Sequence, residues 1–225
     1  MCNFILPFLT YYFTVSGHSN YNWTGQRIAI KNRKLVSNLP YNETAKAYLA
    51  TQIELDKALE LLIQRLKESG KLEDTVIALV GDHYPYTMTV EEINDLSTYK
   101  KDKQFEVHHS NFIIWNSEQE TINVDKHGSQ IDVLPTLLNL FGIEYDSRLI
   151  LGNDILSDND GLVIFSNRSW ITEKGRYDAN KEEFIPNKGI EVDETYIDKI
   201  NKEVANKFSI SKLIVETDYY SKILK

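Results

Sequence analysis

Residues 72–86, LEDTVIALVGDHYPY, constrain the fold more than any other stretch of the chain. From Val76 to Val80 five apolar residues follow one another without polar alternation, the pattern of a strand covered on both faces. Upstream, over residues 43–69, Leu55, Leu59, Leu62, Ile63 and Leu66 recur at helical spacing, and Gly70 follows as a C-terminal cap. A helix feeding such a strand is half of a βαβ unit, so the expected fold is α/β, with helices flanking a mostly parallel sheet. The strand over 75–80 should then be central, with the helix covering one face of the sheet. It ends in Gly81, Asp82 and His83. Ligands of open α/β sheets bind outside the carboxyl ends of strands. A carboxylate and an imidazole suit a divalent cation such as Zn or Mn, and a glycine would let the backbone turn sharply enough to aim both.

Residues 9–15, rich in aromatic and β-branched side chains, are a second strand candidate. They open into the loop SGHSNYNWTG, which places His18 at another strand exit. TVEEINDLSTYKKDKQFEV is polar, a loop or a short helix, and carries the chain to His108, His109 and the apolar strand NFIIW. His127 then precedes SQIDVLPTLLNLFGI, a helix with apolar Ile131, Leu134, Leu137, Leu138 and Phe141, closed by Gly142, with Pro135 in its first turn. Asp132 and Thr136 suit structural roles there, an acid and a hydroxyl satisfying orphan amides. NDILSDND lacks calcium-loop spacing and reads as a solvated linker. Beyond it LVIFS, SWITEKGRYDA and EEFIPN suggest a small antiparallel sheet, followed by terminal helices. The expected division is an α/β domain over 1–152 and a small α+β subdomain over 153–225.

With 225 residues of which 42% are apolar, the chain can bury a core. A net charge of −8 and no Lys/Arg run longer than two argue against nucleic acid as a partner. The single cysteine, Cys2, excludes an internal disulfide and a multi-cysteine metal site. No segment has the ~20 apolar residues of a membrane-spanning helix.

Four stretches in order, TVSGHSNYNW, EDTVIALVGDHY, SQIDVLPTLLNLFGI and LGNDILSDNDGLVIFSNRSWIT, resemble the alkaline phosphatase and sulfatase superfamily, most closely its lipoteichoic acid synthase-like branch. The resemblance implies part of an α/β/α sandwich and phosphoryl or sulfuryl transfer with a bound divalent metal, Mn ahead of Zn, Mg or Ca. Carried over, Asp82 and His83 match the metal-ligand pair, and His18 the histidine that contacts the transferred group. His108, His109 and His127 are further candidates for lining the substrate side. The nucleophilic Thr or Ser and one acidic ligand lie upstream in this family and have no match here. The chain alone is therefore expected to turn over poorly and to hold metal weakly. The implied partners are a phospholipid head group or a sulfate or phosphate ester, and an amino-terminal half of the same enzyme. The implied location is the extracellular face of a bacterial cell membrane. The rival expectation is a non-catalytic domain of this fold that binds a glycan, a lipid head group or another chain. Phe4, Ile5, Leu6, Phe8, Tyr11, Tyr12 and Phe13 crowd ten positions with large apolar side chains, so the isolated chain is expected to self-associate through residues 4–15.

Overall fold

The computed structural model describes residues 7–223, which form two compact units that part between Glu120 and Thr121. The contact boundary thus falls ahead of the change of texture at 152/153. Composition responds to the kind of element, whereas compactness responds to which elements touch.

The first unit is built on two helices, α1 (Arg27–Val36) and α2 (Glu43–Glu68), which pack on one another. Asn42 caps α2 by accepting from Ala45 N at 2.8 Å. Gly70, at φ +65°, ends it in the left-handed conformation, with Lys71 N donating to Leu66 O. The buried residues of the pair are small: Ala29 and Val36 of α1 and Ala45, Ala47, Ala50 and Thr51 of α2 are all essentially inaccessible. Asn32 is buried among them and fully engaged, donating to Ala50 O and Glu54 Oε2 while accepting from Lys57 Nζ at 2.7 Å. Leu55, Leu59, Leu62, Ile63 and Leu66 stay half-buried.

Strand β1 (Ile77–Val80) follows, then α3 (Val90–Asp95), opened by a Thr89/Glu92 capping box, and β2 (Phe112–Trp115). β1 and β2 pair antiparallel, Val80 opposite Phe112 and Ile77 opposite Trp115. This corrects two expectations: the pairing is not parallel, and β1 is one strand of a two-stranded ribbon, not the centre of a sheet. The unalternating apolar run implied cover on both faces, yet Ala78 and Val80 are exposed, and such a run says nothing about the direction of the neighbour. Direction follows from where the connection returns the chain. Here residue 110 returns beside Gly81, at the end where β1 stops. Residues 9–15 form no strand either. They run without regular structure and are open to solvent, Leu9 at 85% and Tyr11 at 81%. A strand exists only through a ladder with a neighbour, and among the described residues this segment has none. Phe4, Ile5 and Leu6 lie outside the described residues.

The second unit carries a 3-10 turn (Gln130–Asp132) that leads into α4 (Val133–Leu140), with Pro135 at its third residue and Gly142 (φ +63°) beyond its end. A four-stranded antiparallel meander follows: β3 (Val163–Ile164), β4 (Trp170–Thr172), β5 (Gly175–Asp178) and β6 (Glu183–Pro186). SWITEKGRYDA is thus a hairpin, not one strand. Gly175 makes the meander possible: at φ +153°, a Cβ would sit 2.4 Å from Ile185 O. Helices α5 (Glu194–Glu216) and α6 (Tyr219–Ile223) close the chain, and α5 lays Ile200 and Val204 on Trp170.

Candidate metal and anion site

Asp82 and His83 follow the last residue of β1, and their own turn fixes their arrangement. Asp82 Oδ1 accepts from His83 N at 2.8 Å, a local carboxylate turn. His83 Nδ1 lies 2.8 Å from Tyr84 O. A carbonyl only accepts, so Nδ1 carries the hydrogen and the neutral ring leaves a lone pair on Nε2. That nitrogen sits 3.4 Å from Asp82 Oδ2. Two lone-pair atoms so close call for a cation between them, a proton or a metal. The spacing equals the edge of a tetrahedron around an ion with bonds of about 2.05 Å. A ring nitrogen donating to a backbone carbonyl is also how metal-binding histidines are oriented. The pair therefore fits a divalent ion on two of its positions. Both side chains are more than half open on average, His83 at 50% and Asp82 at 61%. Among the described residues no third His, Cys, Asp or Glu comes close enough to complete a ligand set. Gly81 does not supply a left-handed turn, and a Cβ there would meet Ser110 Cβ at an ordinary 3.4 Å, so the aim of the pair comes from hydrogen bonds rather than from glycine.

His18 is held in the same way, its Nδ1 donating to Ser19 O at 2.8 Å, which again leaves Nε2 with a lone pair in the neutral ring. Its loop is braced by Gln26 Nε2 donating to His18 O at 2.7 Å and by Tyr21 Oη donating to Gly17 O at 2.9 Å. Tyr21 holds this loop from within the core. It is 7% exposed, stands edge-on to Tyr48 at 5.1 Å, and its hydroxyl pKa is pushed up to about 12 by burial, then by Tyr48, Tyr86 and Asp82. The charge of Asp82 thus reaches the ring that carries the His18 loop, although His18 does not join Asp82 and His83 in a ligand cluster.

Residues 108–110 run alongside the same exit. His108 stands edge-on to Tyr84 at 4.8 Å, and burial pushes its pKa down against the pull of Asp102. His109 Nδ1 lies 2.8 Å from Tyr99 Oη. His127 belongs to the second unit, where Glu173 Oε1 accepts from its backbone N at 3.1 Å and meets Nδ1 at 2.9 Å. Burial opposes ionisation of Glu173, but these bonds prevail and its pKa is lowered. His127 thereby clamps its own loop to the turn between β4 and β5. Tyr21, Tyr99 and Lys101 are absent from the reading of the sequence, because nothing in their spacing marks them.

A family model described as Sulfatase matches residues 6–143. Among curated proteins, the chain is 29% identical to "Lipoteichoic acid synthase 1" of Bacillus subtilis (strain 168) over 175 residues, 75% of this chain and 26% of that protein. It is 28% identical to "Lipoteichoic acid synthase" of Staphylococcus saprophyticus over 179 residues, covering 76% and 26%. It is 26% identical to "Lipoteichoic acid synthase" of Staphylococcus aureus (strain USA300) over 221 residues, covering 95% and 33%. The chain thus spans between a quarter and a third of the length of these relatives.

Proposed function

Because the chain belongs to the sulfatase family, in its lipoteichoic acid synthase-like branch, we propose that it is the carboxyl-terminal part of a metal-dependent phosphoglycerol transferase or sulfatase-like hydrolase. Its substrates would be phosphate or sulfate esters, such as a phospholipid head group, at the extracellular face of a bacterial cell membrane. No helix among the described residues is long and apolar enough to cross one. The observation that carries the reading is the 3.4 Å spacing of Asp82 Oδ2 and His83 Nε2 beneath a fixed Nδ1 hydrogen bond.

Asp82 and His83 would hold a divalent ion, Mn by likeness to the lipoteichoic acid synthase-like branch, although a carboxylate and an imidazole at this spacing also suit Zn. Bound there, the ion would neutralise charge on the oxygens of the transferred group. His18, with a bare Nε2 in its neutral form, suits accepting a proton, or donating to that group as an imidazolium. The nucleophile and the remaining ligands would come from a partner segment corresponding to the amino-terminal part of the relatives.

The test is a chimera in which this chain replaces the matching segment of the Bacillus subtilis relative, assayed for transfer of glycerol phosphate from phosphatidylglycerol with Mn. The expected result is measurable transfer, lowered about a hundredfold by Asp82→Ala or His83→Ala. A folded, Mn-binding chimera without transfer would favour a non-catalytic binding domain instead.

The first unit also leaves apolar surface uncovered: Val80 and Ile113 on opposite faces of the β1–β2 ribbon, and Phe8, Leu9, Tyr11, Tyr12 and Phe13 ahead of the His18 loop. Such surface associates. Sedimentation of the isolated chain at micromolar concentration is expected to show self-association, reduced when Tyr11, Tyr12 and Phe13 are changed to Ser. A clean wild-type monomer would contradict this.

A further inference from the structure

Three histidines of the first unit have different partners at Nδ1, and the partner decides which ring nitrogen keeps its proton. His18 and His83 face the carbonyls of Ser19 and Tyr84, so each neutral ring presents a lone pair at Nε2. His109 faces a phenol. Tyr99 Oη, 2.8 Å from His109 Nδ1, also receives Lys101 Nζ at 2.9 Å, and Lys101 sits 4.4 Å from the centre of the Tyr99 ring. An ammonium can only donate. Its presence on the phenol oxygen makes that oxygen a poorer acceptor and its hydrogen a better donor. The hydrogen has two acceptors in reach, His109 Nδ1 at 2.8 Å and Glu106 Oε2 at 3.4 Å, and the shorter contact is the stronger. With the hydrogen on the shorter contact, His109 Nδ1 accepts and its Nε2 carries the hydrogen; with it on Glu106, the ring would instead donate from Nδ1, which is the alternative the experiment below separates.

The segment that bears His109 lies beside the exit of β1. Ser110 packs against Gly81, His108 against Tyr84, and Phe112 pairs with Val80. We propose that Tyr99, backed by Lys101, is a positioning residue that sets His109 as an Nε2–H donor for the oxygens of the phosphate or sulfate group, opposite in polarity to the lone-pair ring of His83. The inference rests on the reading of the Asp82–His83 exit as an ester site. It gives the two rings separate work: His83 accepts a cation, and His109 donates to an anion.

The experiment uses the whole chain labelled with 15N at histidine, at about pH 8 where an ordinary imidazole is neutral. Multiple-bond NMR spectra are expected to show His18 and His83 protonated at Nδ1 and His109 at Nε2. Inorganic phosphate should shift the His109 signals in a saturable manner. Tyr99→Phe should weaken that binding about threefold to tenfold, the loss of one orienting hydrogen bond. Lys101→Met should follow it, whereas Lys101→Arg, which keeps the donor and the charge, should bind as wild type does. A proton on Nδ1 of His109, or phosphate binding unchanged in Tyr99→Phe, would overturn the proposal. Failure of the ester-site reading looks different: the chimera lacks transfer while the His109 proton and its response to phosphate remain in place.

Discussion

Trp170→Ala is expected to remove most of the stability of the second unit, about 3–5 kcal/mol by the usual cost of emptying an aromatic core site. Trp170 is wholly inaccessible and stands at the centre of its cluster, stacked on Tyr177 at 5.5 Å, tilted on Phe184 at 5.5 Å and edge-on to Tyr196 at 6.3 Å. Its indole Nε1 donates to Asn201 Oδ1 at 2.8 Å, so one side chain joins three strands' worth of aromatic packing to helix α5. Few alternatives can take over, since Ile200 and Val204 are the other buried members of that cluster. Domains of this size are held by roughly 5–15 kcal/mol in all. Urea unfolding followed by far-UV circular dichroism checks this, because the mutation also removes a fluorophore. Trp170→Phe should cost less than Ala, yet still leave Asn201 without its donor. An unchanged midpoint in Trp170→Ala would show that α5 and the meander do not depend on this core.

Asp132→Ala is expected to release the loop after residue 152 from α4, at a cost of about 2–5 kcal/mol for two amides deprived of their acceptor. Asp132 is 5% exposed. Its Oδ2 accepts from Ser129 N at 2.8 Å and from Ser129 Oγ, while Oδ1 accepts from Asn153 N at 2.7 Å. One turn later Thr136 Oγ1 donates to Asp132 O and accepts from Ile155 N at 3.0 Å. The carboxylate thus starts a helix with one oxygen and anchors a distant loop with the other. Asp132→Asn keeps a single acceptor oxygen and should lose about half as much. Thr136→Val should lose the Ile155 bond alone. Hydrogen exchange at the Ser129, Asn153 and Ile155 amides reports each tie separately. Protection unchanged in Asp132→Ala would refute the assignment. The same contacts refine the reading of NDILSDND as a solvated linker: its first residues are pinned to α4, and Asp154 Oδ2 accepts from Asn139 Nδ2 at 2.6 Å.

The helix over 43–69 was legible because its period of apolar residues and its terminal Gly70 are local signals. Helix α1 was not, since its buried positions are Ala29, Asn32 and Val36, and small or polar residues leave no apolar stripe to read. The same reason hid the face of α2 that matters: Ala45, Ala47 and Ala50 go fully inside, and the larger leucines further along stop half-way. Helices that bury small side chains against one another leave little trace in hydropathy. The short strands of the second unit were legible as an antiparallel sheet from runs separated by turn residues, with SWITEKGRYDA read as a single run. That residues 170–178 double back into a hairpin shows only in the pairing of β4 with β5, Thr172 opposite Gly175 and Trp170 opposite Tyr177.

At the site the sequence by itself determined the chemistry of the parts, a carboxylate next to an imidazole at the end of an apolar run and a second imidazole in a loop rich in Asn and Ser. Those are properties of residues and of neighbours along the chain, and the turn that joins Asp82 Oδ1 to His83 N is made entirely within the pair. Only the tertiary structure decided the direction of pairing of β1 and β2, the closeness of Ser110 to Gly81, and the burial of Tyr21, whose hydroxyl holds the His18 loop. It also decided which nitrogen of His109 faces a phenol, because Tyr99 reaches that ring across a ten-residue separation. The physical reason is one of range. Periodicity and composition record which side chains must leave water, and any partner of the right polarity satisfies that demand. Which partner it is, and from which side it comes, follows from the path of the backbone between them.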